Sequence, residues 1–205
     1  MLPSMEFQDV VRRRRMVRNF DSRPLPPELA ERVVANALRG PSAGFTQGTE
    51  LLVLQGTEET ARYWDACFPV PGRAHFHWPG LLRAPLLVVF FGDAEAYVER
   101  YSQPDKAGIG ANRDSTDPSA WPAAYWDVDA AFASLLALLT AVDAGLGALF
   151  FGVSRPDDLR AEFGIPDRFT AVGTVAVGFA LPHEPSSSLA RGRRSSADVV
   201  HRGHW

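Results

Sequence analysis

The sequence predicts an α+β or α/β domain in which a small sheet is covered on both faces by helices. Three observations lead there. Helix and strand signals alternate along the 205 residues, with about four strands to five or six helices. Two β-branched and aromatic runs, Pro85 to Phe91 and Ala171 to Phe179, read as buried strands. Between them, Trp126 to Ala144 forms the longest helix, apolar on nearly every side and therefore central.

The elements follow in order. Glu6 to Arg18 reads as a first helix, and Pro26-Pro27 opens a second that runs from Glu28 to Arg39 and stops at Gly40-Pro41. Leu51 to Leu54 is a short strand. Thr57-Glu58-Glu59-Thr60 starts a helix reaching about Phe68. Pro69 to Pro79, with three prolines and two histidines, reads as loop, and Gly92-Asp93 closes the strand that follows. Gln103 to Pro122 is rich in Gly, Pro, Asp and Ser; a loop of that length in a compact domain is a lid or a mobile segment. Gly145 caps the long helix, Ala148 to Phe151 is a strand, Pro156 to Phe163 a helix, and Pro182 onward a polar tail.

Composition narrows the function. Apolar residues make up 46% and charged residues 22%, the range of ordinary globular proteins. A net charge of −3 gives no electrostatic case for nucleic acid or an anionic membrane. The single cysteine, Cys67, excludes an internal disulfide framework and suits a reducing cytoplasm. No secretory signal or membrane span is expected, because the most hydrophobic region is interrupted by Asp143, Gly145 and Gly147.

Two basic clusters stand out. Arg12 to Arg15 and then Arg18 occupy the first helix. Phe7, Val10 and Val11 mark its apolar face, and at about 100° per residue Arg14 and Arg18 fall on that face while Arg12, Arg13 and Arg15 do not. A buried guanidinium needs an anionic or hydrogen-bonding partner, which a carboxylate, a phosphate or a flavin edge could supply. The second cluster, Arg191-Gly192-Arg193-Arg194, lies in a tail ending in Val199-Val200 and Trp205, residues that suggest docking. Other chemistry finds no support. Gly145-Leu146-Gly147 lacks the third glycine and the strand-to-helix order of a dinucleotide fingerprint. His75 and His77 have no neighbouring ligands to complete a metal site, and no nucleophile elbow is present.

Several segments together resemble the FMN-dependent nitroreductase family. Arg14-Arg15-Met16-Val17-Arg18-Asn19-Phe20 resembles its Arg-Arg-Ser-x-Arg-x-Phe opening, and Pro41-Ser42-Ala43-Gly44-Phe45-Thr46-Gln47 its Pro-Ser-x-x-Asn-x-Gln segment. Gly145 to Gly152 resembles the strand lying against the flavin, Phe163 to Pro166 with Val175 to Gly178 the region after it, and Arg191 with Arg193 the terminal basic pair. The resemblance covers nearly the whole chain. It implies a three-layer α/β/α sandwich with a small, mostly antiparallel sheet, one domain over residues 1–205, and an intertwined homodimer whose 182–205 tail docks on the partner.

It also implies a site. Arg14 and Arg15 would meet the phosphate and ribityl side of FMN, joined by Arg191 and Arg193. Arg18 would sit at the pyrimidine edge, and the backbone of Phe151 and Gly152 would approach N5. Met16, Pro41, Ser42, Ala43, Phe45 and Gln47 complete the cofactor set; Met16 stands for a serine and Phe45 for an asparagine, and Phe45, Phe150 and Phe151 would make the cleft more aromatic. The implied chemistry is ping-pong reduction of an electron-poor small molecule by NAD(P)H, with no side-chain acid or base and no metal, and with residues 103–122 as a lid. The alternatives are a flavin-dependent oxidase or dehydrogenase of a specific metabolite, and a protein that sequesters flavin without turnover.

Overall fold

A computed structural model describes residues 5–73, 75–106 and 116–205. Eight helices are present among them: α1 Phe7–Arg13, α2 Pro27–Ala37, α3 Thr57–Cys67, α4 Val70–Arg73, α5 Ala94–Tyr101, α6 Tyr125–Asp143, α7 Pro156–Phe163 and α8 Ser196–Val199. Four strands, β1 Thr49–Gln55, β2 Leu86–Asp93, β3 Gly147–Phe151 and β4 Phe169–Gly178, form one sheet in the order β1-β2-β4-β3. Every neighbouring pair is antiparallel.

Alternation along β2 explains the layers. Leu86, Val88 and Phe90 point into one core with Ala30, Val33 and Ala37 of α2 and Ala133, Ala137 and Ala141 of α6. Leu87, Val89 and Phe91 point into a second core with Tyr63, Trp64 and Cys67 of α3 and Leu159 of α7. Helices thus cover both faces, giving the three-layer sandwich. Each fully buried Val, Leu or Phe of β2 contributes about 1.5–3 kcal/mol, so the central strand anchors both layers at once.

α6 is long and apolar enough to cross a membrane by composition. Its alanine stripe, however, lies against the sheet, where small side chains let helix and strands approach closely. Its opposite side leaves Val128, Phe132 and Leu135 exposed at helical spacing, and α1 leaves Phe7 and Val11 exposed in the same way. The helix expected to be apolar on nearly every side and central therefore packs one face on the sheet and leaves apolar residues of another exposed.

Three other expectations change. The first helix stops at Arg13 instead of Arg18: Arg14 leaves the helical region at ψ 121°, and residues 16–20 run as an extended strap bridged to Ala148 and Ala180. The phase argument for Arg14 and Arg18 therefore does not apply. Strand-like bonding to the sheet edge, with Val17 N–H donating to the Ala148 carbonyl at 3.0 Å, outcompetes further helical bonds. Pro69 to Pro79 contains the short α4, and α5 follows β2 directly. Asp93, expected as a strand terminator, also caps α5 by accepting from the Ala96 N–H at 3.2 Å. Of the expected lid, residues 104–106 and 118–120 form short 3-10 turns and Asp105 pairs with Arg100 at 2.7 Å; residues 107–115 lie outside the described residues.

The strap crosses β3 at Gly147, where a Cβ would stand 2.8 Å from Val17 Cγ2 and 3.0 Å from the Ala180 Cβ. Gly147→Ala is expected to cost about 1–3 kcal/mol by overpacking, read as a lower urea midpoint. An unchanged midpoint would show that the strap is free to lift from β3.

Candidate functional site

The strap brings its arginines to the outer edge of β3. Arg14 and Arg18 are half-buried, whereas Arg12, Arg13 and Arg15 are exposed. The inward pair is the one helical phase singled out, although extended backbone produces it. Arg14 Nη1 is shielded from solvent and has no hydrogen-bond partner among the described residues. Arg18 donates only to the Met16 carbonyl, at 3.2 Å, and lies over the Trp78 ring at 4.8 Å. Neither forms an ion pair among the described residues. Arg15 turns back on its own backbone, donating to the Arg12 carbonyl at 2.7 Å. Met16 packs into both cores.

Beside Arg18 opens a cavity of about 300 Å³, walled by Trp64, Phe68, Phe76, Trp78 and Phe151, with Gly152 at its edge. That is the lower end of the range for small-molecule sites. Phe151 stacks on Trp64, centroids 5.6 Å apart at 12°, and Tyr63 meets Phe151 edge-on at 6.4 Å. The Tyr63 hydroxyl is satisfied by Thr174 Oγ1 at 2.8 Å, and burial pushes its pKa up. Burial likewise pushes the Cys67 thiol up to about 11. No thiolate or phenolate nucleophile is therefore ready in this wall. Planar apolar surface with one cation at the rim suits a flat, electron-poor or anionic ring system.

The Pro41–Gln47 segment lies elsewhere. The Ala43 N–H donates to Asp129 Oδ2 at 2.8 Å, the Tyr97 hydroxyl donates to the same oxygen at 2.5 Å, and Gln47 N–H donates to Ser42 Oγ at 2.9 Å. Arg100 Nε holds the Gly44 carbonyl at 2.9 Å. These bonds impose left-handed backbone on two non-glycine residues, Phe45 (φ 55°) and Gln47 (φ 56°). Phe45 is left 76% exposed, a large apolar ring presented to solvent by a tightly bonded loop.

This loop enters β1, one edge of the sheet, while Phe151 and Gly152 end β3, the other edge. Phe151 stands level with Leu52, three residues along β1 from Thr49, since Phe151 pairs with Thr174, Thr174 with Val89 and Val89 with Leu52. Two strands stand between them, roughly 14 Å at about 4.8 Å per strand spacing. Within one chain, Arg18, Phe151 and Gly152 come together; Ser42, Ala43, Phe45 and Gln47 do not join them. Arg191 and Arg193 lie on an exposed tail and line neither the aromatic cavity nor the cleft beside it. Trp64 and Trp78 were missed by sequence reasoning. Trp64 shows only as a helix residue, and Trp78 sits in a proline-rich stretch where spacing carries no periodic signal.

The α/β/α fold has counterparts. The model of the nitroreductase family matches residues 11–179, and the chain belongs to that family. An NADH dehydrogenase of Thermus thermophilus is 24% identical over 189 residues, covering 87% of this chain and 88% of the relative. Among solved structures, a nitroreductase family protein of Clostridium difficile superposes with a TM-score of 0.71 at 21% identity, covering 98% of this chain and 100% of that one. A protein of Staphylococcus epidermidis described as an NAD(P)H:FMN oxidoreductase superposes with a TM-score of 0.72 at 18% identity, covering 98% of each chain. Family membership makes the protein an oxidoreductase.

Because the folded state favours the neutral Cys67 thiol, its ordinary value of 9.0 bounds the effect from below. Stability from this residue is intact below about pH 9 and declines as pH rises from there towards about 11. At pH 8, iodoacetamide is expected to leave Cys67 of the folded protein unmodified and to alkylate it fully in urea, as read by intact mass. Rapid labelling of the folded protein would contradict a buried thiol.

Proposed function

We propose that the protein is an FMN-dependent oxidoreductase that reduces an electron-poor small molecule, such as a nitroaromatic or a quinone, at the expense of NAD(P)H. The observation that carries the reading is the pair Arg14 and Arg18: two half-buried guanidinium groups without an ion-pair partner among the described residues, of which Arg18 lines an aromatic cavity. An uncompensated buried cation calls for an anion. The phosphate and the electron-rich pyrimidine edge of a reduced flavin supply one each.

The residues fit the cofactor in two further respects. Trp64, Trp78 and Phe151 offer flat apolar surface for a tricyclic ring. A Cβ at Gly152 would meet no atom of the chain within 4 Å, which leaves open space at the edge of the cavity for a ligand to approach the backbone. In this reading Arg14 and Arg15 bind the phosphate and ribityl side, with Arg191 and Arg193 arriving from the tail. Arg18 holds the pyrimidine edge and favours negative charge there. Met16 and the backbone of Phe151 and Gly152 border the ring. FMN, when bound, would supply the two-electron redox chemistry that links NAD(P)H to the acceptor. The protein's part is orientation, positive charge and exclusion of water, with no side-chain acid or base.

The same reading makes the active unit a homodimer. Phe7 and Val11 of α1 with Val128, Phe132 and Leu135 of α6 leave apolar surface exposed, which a second copy would cover. Pairing two chains also lets the Pro41–Gln47 loop of one approach the cavity of the other, which a single chain's sheet forbids. Pro41, Ser42, Ala43, Phe45 and Gln47 then act on the partner's cofactor.

Three measurements test this. The purified protein is expected to be yellow, or to become so on adding FMN, and to oxidise NADH or NADPH with a quinone or nitroaromatic acceptor. A preparation that stays colourless with excess FMN sinks the reading. Arg14→Ala is expected to lose about 1.5–3 kcal/mol of FMN affinity, the worth of a charge-assisted hydrogen bond, while Arg12→Ala, which removes only the exposed pair with Asp9, leaves it unchanged. Equal flavin retention in the two variants would dismiss Arg14 as a phosphate ligand. Phe132→Asp is expected to shift the protein to monomer in size-exclusion and to release flavin with it; a dimer that persists would move the interface elsewhere.

A further inference from the structure

We infer that Arg100 and the Tyr97–Asp129 pair are positioning residues: they hold Phe45 at the angle in which a second copy of the chain receives it, at the mouth of that copy's aromatic cavity. This role rests on the homodimeric redox reading above and names the side chains that aim the loop.

Phe45 is an apolar ring held out from the chain at a backbone cost. It is 76% exposed and has φ 55°, a left-handed conformation that a bulky residue adopts only where its surroundings impose it. Two helices impose it. Asp129 Oδ2, buried on α6, accepts from the Ala43 N–H at 2.8 Å and from the Tyr97 hydroxyl of α5 at 2.5 Å. The Tyr97 ring is fully buried, and a Cβ at Gly48 would stand 2.6 Å from it, so the chain leaving the loop presses on the same ring. Burial first, and the bond to Asp129 second, push the Tyr97 phenol above its ordinary value, which keeps it a donor.

Arg100 closes the other side. Its Nε donates to the Gly44 carbonyl at 2.9 Å. Its Nη1 donates to Gln103 Oε1 and Asp105 Oδ1, both at 2.8 Å, and its Nη2 to Asp105 Oδ2 at 2.7 Å. Bidentate pairing with Asp105 fixes the guanidinium plane, and that plane aims the donor offered to Gly44. Ala43 and Gly44, the two residues before Phe45, are thus each bonded to a different helix.

The ring is denied to its own chain's cavity. Its loop enters β1, the cavity lies on β3, and β2 and β4 stand between them. α6, which carries Asp129, also exposes Val128, Phe132 and Leu135, the surface assigned to the second copy. Val128 is the neighbour of Asp129, so the loop's anchor and the dimer surface share one turn of helix. That shared turn commits Phe45 to the same partner.

Two readouts test the role, one of them free of flavin. In the first, Phe45→Cys and Gly152→Cys are combined in the apoprotein and treated with a short bismaleimide. Gly152 accepts a side chain, since a Cβ there meets no atom of the chain within 4 Å, and the buried Cys67 thiol, pushed up to about 11, stays unreactive. A covalent dimer is expected on a denaturing gel, in higher yield than from either single-cysteine variant. Adding Arg100→Gln, or Tyr97→Phe, which keeps the buried ring and removes only its hydroxyl, is expected to cut that yield several-fold. In the second, the KM of a quinone acceptor with FMN-loaded protein is expected to rise by roughly threefold to tenfold in Arg100→Gln and in Phe45→Ala, with kcat nearly unchanged. Because Arg100 acts through Phe45, Arg100→Gln should add nothing on the Phe45→Ala background.

Full cross-linking in both Arg100→Gln and Tyr97→Phe, or additive effects on KM, would overturn the positioning role. A protein that binds FMN and yields no covalent dimer would place Phe45 away from the partner's cavity, overturning the inference and leaving the flavin reading intact. A covalent dimer sensitive to Arg100→Gln, in a protein that never takes up FMN, would uphold the positioning role and overturn the redox reading alone.

Discussion

The site depends on one backbone interaction, the docking of the extended strap after α1 along the free edge of β3. The bond from Val17 N–H to the Ala148 carbonyl and the bridge between Phe20 and Ala180 satisfy an edge that would otherwise expose unpaired groups. The strap also carries Arg18 to the mouth of the aromatic cavity and Asn19 to Arg83. Gly147 lets it lie close, since a side chain there would collide with Val17. Without the strap, the aromatic cavity and the cleft beside it would each lose Arg18, which they share.

Two demands meet at that edge. Burial of Tyr63, Trp64 and Phe151 completes the second core, and the same rings form the cavity wall, so stability and ligand surface come from one aromatic cluster. Charge is handled differently. Arg32 pairs with Asp143 and Arg168 with Asp93, as partly buried arginines ordinarily do. Arg14 and Arg18, both half-buried, form no ion pair among the described residues.

At the opposite edge, Asp129 spends both its hydrogen bonds on Tyr97 and Ala43 to hold a loop that points Phe45 into solvent. A buried carboxylate used in this way rigidifies an exposed segment. Rigid presentation of an apolar ring makes physical sense where another molecule receives it. The exposed stripe of α6 lies on the helix that carries Asp129, so the loop and the proposed dimer surface are built on one element.

Periodicity and punctuation were enough to read the fold class, the four strands, α2, α3, α6 and α7, and the family motifs. Those signals are local: Pro27 opens α2, Gly145 at φ 73° closes α6, and Leu86 to Phe91 alternates between two cores. The end of α1 was not legible, because arginine and methionine favour helix as readily as they tolerate an edge strand, and long-range bonding to Ala148 decided between them. The arginines that turn inward were legible as Arg14 and Arg18, although the reason was strand pairing and not helical phase. The sequence by itself determined the layers and the family, since spacing and residue type encode them. Only the tertiary structure decided that Trp64, Trp78 and Phe151 form one cavity, that Arg83 joins Arg18 across Asn19, and that the Phe45 loop stands at the far edge from Gly152. Those relations join residues far apart in the chain, and chain spacing holds no record of which strands become neighbours.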